Sequence, residues 1–166
     1  MQLESMAVEM PRVEGHPNRC EFRGVLTVVD APSERAPSGA RGHRVVLTRK
    51  AAEAGLASLL GMALDYAPTM DRHDARRKIG VITAADFGER GRLEIEGYLY
   101  AKDFPEVVKE IGESGRARLG LSYEIADARV ADVNASVWVL TQCTFTGAAV
   151  LLRDKAAYAS TWIELQ

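Results

Sequence analysis

Histidine occurs three times in the chain, at positions 16, 43 and 73, so an imidazole base has few possible sources. His16 lies in a Met-, Glu-, Pro- and Gly-containing opening segment and His43 beside a Gly-rich stretch. His73 falls between the proline-broken turn DYAPTM and the apolar pattern that resumes at Ile79, where a scaffold can aim its ring. About fifty positions further on, LGLSYE carries Ser122. A serine hydroxyl is a poor nucleophile until an imidazole takes its proton, and donors must then stabilise the oxyanion. Strand alternation puts Gly120 and Glu124 on the face of Ser122. Gly120 would let an extended backbone approach, and Glu124 could bond a substrate amide. Arg118, on the same side, is better placed than Arg116 to lend a donor near the oxyanion. The pairing of His73 with Ser122 is therefore the combination suited to nucleophilic acyl transfer.

Other chemistries lack their signatures. LGLSY is not a G-x-S-x-G elbow, and the chain has no HExxH, P-loop or GxGxxG. Cys20 and Cys143 form no CxxC, so they read as free thiols in a reducing compartment, and no metal or other cofactor is expected. Asp71 and Asp74 flank His73, and the basic run Arg72, Arg76, Arg77 and Lys78 reads as a solvated turn. Trp138 and Phe145 read as core aromatics, with Trp138 alternatively lining a groove; Cys143 reads as a small buried hydrophobe.

The elements that must position the pair follow from periodicity. Residues 20–29, 44–48 and 92–100 read as strands, the last with Leu93, Ile95 and Leu99 on one face. Residues 51–64 carry Leu56, Leu59, Leu60 and Ala63 at helical spacing. A second helix is expected to start at Asp103, with Pro105 and Glu106 in its first turn, and to end at Gly112 and Gly115. Residues 118–125 alternate, Leu119, Leu121, Tyr123 and Ile125 opposing Gly120, Ser122 and Glu124. Residues 137–146 form the longest β-rich run, and 148–158 close the fold as strand or helix. Many short strands with two helices between them indicate an α+β fold built on a mostly antiparallel barrel or sandwich. Residues 1–19 are expected to be a loosely held arm or one that docks elsewhere, and residues 20–166 a single domain.

At 166 residues the chain can bury a core without disulfides or a structural metal. Its 21 basic and 23 acidic residues leave a formal charge of −2, which disfavours nucleic acid or an anionic membrane as partner. No stretch approaches the roughly 18 apolar residues of a membrane span, and the opening residues lack a signal-peptide layout, so a cytoplasmic protein is expected.

Taken in order, MDRHDARRKIGVI, RLEIEGYLYAKDFPEVVKEI, RLGLSYEI and LTQCTFTGAAVLL resemble the prohead (capsid maturation) proteases of tailed bacteriophages, distant relatives of the herpesvirus assemblins. The shared features are His73-Asp74 leading to Ile79-Gly80, then a Gly-Leu-Ser strand about fifty residues on; the likeness covers roughly residues 21–158. The resemblance implies a herpesvirus-protease-like barrel flanked by helices, with Ser122 as nucleophile and His73 as base. It implies self-cleavage and cleavage of scaffold and major capsid proteins inside assembling proheads in the cytoplasm of a bacterial host, and it is compatible with a homo-oligomer. A third member is expected on the strand twenty or more residues after the serine, where relatives place an acid or a histidine. Gln142 stands there, with Thr144 acting through a water as the alternative, or an acid supplied from Asp71, Asp74 or Glu124. The lack of an acid on that strand favours a second reading, a catalytically silent assembly module that keeps the fold and binds scaffold or capsid protein.

Overall fold

The computed structural model describes residues 5–166. Among them nine strands form one curled, half-barrel sheet, with two α-helices in the connections, a mixed α/β fold. Strands β1 (Ser5–Ala7), β2 (Cys20–Val28) and β3 (Arg44–Leu47) lead into helix α1 (Arg49–Gly55) and a 3₁₀ turn over Leu56–Leu59. Strands β4 (Ala63–Tyr66), β5 (Lys78–Phe87) and β6 (Arg92–Leu99) follow, then helix α2 (Pro105–Arg118), β7 (Leu119–Val130), β8 (Val137–Leu152) and β9 (Trp162–Leu165).

The sheet order is β3-β8-β4-β5-β6-β2-β9, with β7 on the other edge of β8 and β1 on β5. Pairings are antiparallel except where β8 runs parallel to β3 and to β4. The apolar sides of these strands close on a core of fully buried side chains that includes Phe22, Leu26, Leu47, Ile82, Leu93 and Phe145. Among the described residues no helix is long and apolar enough to cross a membrane.

Local chemistry accounts for the helix boundaries. Thr48 caps α1, its hydroxyl accepting from the Ala51 N–H, and Arg49 reaches Glu53 one turn on. The helical spacing that predicts a helix to Leu64 breaks earlier. Gly61 takes φ +80°, and Ala63–Tyr66 leaves as a strand to pair with β5 and β8. Helix α2 starts with Pro105 and Glu106 as expected but runs through Gly112 and Gly115 to Arg118. Gly115 is not a stop: a Cβ there would drive into the Ile163 carbonyl of β9, so the glycine is what lets helix and strand approach. Of the opening arm, residues 1–4 lie outside the described residues. The remainder is tied at its two ends to the sheet and to the start of α2, while residues 7–15 are exposed. Ser5–Ala7 pairs with β5, and Asn18 bonds both Asp103 and the Lys102 N–H.

Candidate active site

Three adjacent strands set the site on one cross-strand rung. Ala149 of β8 is the register partner of Asp65 on β4 and of Ser122 on β7. Register partners project to the same side of a sheet, so Asp65 and Ser122 flank a single buried methyl group, their backbones about 10 Å apart at ordinary strand spacing. Two positions along β8, Gly147 lies opposite Glu124, and its missing side chain leaves space for the glutamate. Small residues on β8 thus floor a trough between β4 and β7.

The turn between β4 and β5 fills that trough with an imidazole. The Asp74 N–H donates to Asp65 Oδ1 at 3.0 Å, clamping the backbone next to His73. The His73 ring then lies across the rung, its Nε2 at 3.2 Å from Ser122 Oγ. Its Nδ1 faces two carboxylates, Asp65 Oδ2 at 3.7 Å and Glu124 Oε2 at 3.9 Å. Asp65 is 3% exposed, whereas the Glu124 side chain is 48% exposed. With its proton on Nδ1, toward the carboxylates, the ring presents the Nε2 lone pair to the serine hydroxyl, which donates to it. A serine, an imidazole and a buried carboxylate in that order can carry out base-assisted attack on an acyl carbon.

The trough opens into a cleft of about 670 Å³. Beside Ser122, Tyr123, Ile125, Val130, Leu140 and Trp138 make its wall apolar, while Arg72 and Glu124 line its polar part. Trp138 stacks on His43, ring centroids 4.4 Å apart and planes 11° from parallel; half-buried, it packs against the edge of the core with one side and lines the groove with the other. Phe145 is core. A larger concavity of about 1020 Å³ lies under arm residues 10–16 and contains neither Ser122 nor His73.

Several expected site residues lie elsewhere. Gln142 is opposite Arg129, seven residues along β8 from Ala149, and its amide donates to the Asp127 carbonyl; at about 3.3 Å per residue it cannot reach the imidazole. Thr144 is opposite Ala126 and likewise makes no bond to His73 Nδ1, which has no hydrogen-bond partner among the described residues. Gly120 does face the side of Ser122, but a Cβ there would meet Thr161 Oγ1 at 2.7 Å and Arg153 Cα at 3.3 Å, so the C-terminal segment occupies the space expected for a substrate. Arg118 is the last residue of α2, not part of a strand, and pairs with Glu110 at 3.9 Å. Glu124 faces the imidazole as well as the cleft. Asp71 accepts from Thr69, and Asp74 turns to Arg76 and Arg77; the Arg76 N–H, then that residue's guanidinium, hold its carboxyl below the usual range. Cys143 is buried, which pushes its thiol up to about 11 and leaves it inert at neutral pH.

Asp65 is the site residue that sequence reasoning missed. Its signal was present: ALDYA places one carboxylate inside an apolar run, and a charge that folding buries has to face a partner. Helical spacing absorbed the preceding residues and hid that strand. Comparison of the chain with protein-family models and with curated proteins finds no match.

Proposed function

We propose that this chain is a serine endopeptidase of the prohead-protease kind, on a barrel like that of the herpesvirus proteases, cleaving scaffold and capsid proteins and itself during procapsid maturation. The observation that carries the reading is the 3.2 Å approach of His73 Nε2 to Ser122 Oγ with the buried Asp65 carboxylate on the far side of the ring. In the acylation step Ser122 Oγ bonds to the scissile carbonyl carbon while its proton passes to His73 Nε2. Collapse of the tetrahedral intermediate breaks the C–N bond, and the imidazolium hands that proton to the leaving amine. Water then repeats the sequence on the acyl-enzyme and frees the acid. Asp65 stabilises the imidazolium that exists between the two transfers.

A peptide fits the surroundings. Among the described residues β7 pairs only with β8, so past Ser122 its other edge can take an added strand whose apolar side chains meet the Trp138 wall. The silent-module reading rested on the lack of an acid on the strand after the serine, and Asp65 and Glu124 place carboxylates at the imidazole from other elements. The test is covalent labelling with a fluorophosphonate together with a mass spectrum of the purified chain. Label is expected on Ser122 and none on His73→Ala, and self-cleavage fragments are expected to vanish in Ser122→Ala. A folded wild-type chain that takes no label, with fragments unchanged in Ser122→Ala, would sink the reading.

A further inference from the structure

We infer that Asp65, His73 and Glu124 form a site for one divalent transition-metal ion of the zinc class, and that filling it switches the serine off. The binding part stands on geometry alone; the switching part rests on the hydrolase reading above. Three donors of the types zinc takes come from three separate places in the fold: β4, the turn before β5, and β7. Their candidate ligand atoms all lie within 4.8 Å of one another, Nδ1 being 3.7 Å from Asp65 and 3.9 Å from Glu124. Tetrahedral zinc with bonds of about 2.0–2.1 Å sets its ligands about 3.3 Å apart. Reaching that spacing takes shifts of about 0.4 Å at Asp65, about 0.6 Å at Glu124 and up to about 1.5 Å across the widest pair, most of which the half-exposed Glu124 side chain can supply. A fourth position is left for water.

A second observation points to a ligand there. His73 Nδ1 is sealed from solvent without a hydrogen-bond partner, although two carboxylates face it. One N–H can serve only one of them, and both distances exceed a hydrogen bond. A doubly charged ion between the three atoms would engage both carboxylates and the ring lone pair together.

Occupancy has a defined chemical consequence. A neutral imidazole carries one ring proton, so once Nδ1 gives its lone pair to a metal the proton must sit on Nε2. Nε2 is the atom that faces Ser122 Oγ. It would then be a donor, unable to accept the hydroxyl proton, and the nucleophile would stay protonated.

The deciding experiment titrates zinc chloride into the full-length chain by calorimetry and follows fluorophosphonate labelling in parallel, each variant scaled to its own zinc-free rate. One ion per chain is expected, with binding lost in His73→Ala and weakened at least about ten-fold in Glu124→Gln, a surface change that leaves the core intact. Labelling should fall with the same midpoint and return on adding EDTA. No binding, or binding indifferent to both substitutions, overturns the site while normal labelling leaves the hydrolase standing. Binding at the three residues with labelling untouched overturns the switch. Site-dependent binding in a chain that never labels supports the metal site and removes the hydrolase reading instead.

Discussion

At His73 the two ring nitrogens meet different chemistry, and that asymmetry assigns the roles. Nε2 faces a hydroxyl and Nδ1 faces carboxylates of unequal burial, with Asp65 sealed and Glu124 half in water. A carboxylate shielded from solvent acts on an imidazolium through a lower effective dielectric, so in the proposed hydrolase Asp65 would be the stronger stabiliser. Asp65→Asn should lower kcat/KM for a peptide substrate by roughly 10³-fold or more, because an amide carries no charge and can donate to Nδ1, favouring the wrong tautomer. Its Oδ1 can still accept from the Asp74 N–H, so the thermal midpoint should move little. Glu124→Gln should cost less than about ten-fold, given its exposure. Steady-state kinetics of both variants check this, and the reverse ranking would make Glu124 the orienting acid. His73 could be singled out from sequence because it stands just before the apolar pattern that resumes at Ile79, and Ser122 because it lies on the polar face of an alternating strand. Gln142 was misplaced because counting along one strand cannot reveal that the rung through Ser122 is completed by β4, a strand from far earlier in the chain.

At the level of elements, the site depends on what β8 lacks. Ala149 and Gly147 lie under the imidazole and Glu124, and larger side chains there would take the volume the ring occupies. Ala149→Leu should therefore slow fluorophosphonate labelling at least about ten-fold by displacing His73, while overpacking costs about 1–3 kcal/mol and leaves the chain folded. Labelling rate together with circular dichroism separates the two effects; unchanged labelling in the folded variant would mean that the ring is not held by this trough. Alternation made β6 legible, since its Leu93, Ile95 and Leu99 side is buried and period-2 patterning survives, and the alternating residues 119–125 marked β7, whereas β2 showed itself by β-branched and aromatic content. β4 was not legible: four residues are too few to show a period, and its burial on both faces erases alternation. The run through Gly112 and Gly115 was misread for a related reason, as a glycine needed for helix–strand contact looks in sequence like a glycine that ends a helix.

For the whole molecule, closure of the curled sheet runs through the segment between β8 and β9, and Tyr158 ties that segment to the first half of the chain. Its hydroxyl donates to the Ala31 carbonyl at 2.9 Å, with the Val45 carbonyl at 3.2 Å, while the Glu34 N–H donates to the neighbouring Ala157 carbonyl. Burial, with a smaller contribution from the Glu34 charge, pushes the phenol from 10.0 up to about 12. A raised folded-state value means that the unfolded chain gives up this proton first. The stabilisation is therefore complete below pH 10 and drains away as pH rises toward 12, by about 1 kcal/mol at pH 11 and about 2–3 kcal/mol in full. Tyr158→Phe should be less stable than wild type at pH 8 by about 1 kcal/mol, because the half-buried Ala31 carbonyl loses the hydroxyl that donates to it, while the Val45 carbonyl keeps the Ser33 N–H. Its stability should also fall less steeply between pH 9 and 11. Subtracting the two urea-unfolding series isolates this one group from the other tyrosines and from Cys143, which titrate in both proteins. Parallel slopes would show that the phenol does not couple closure of the sheet to its protonation, and a gap that narrows with pH would show that it does.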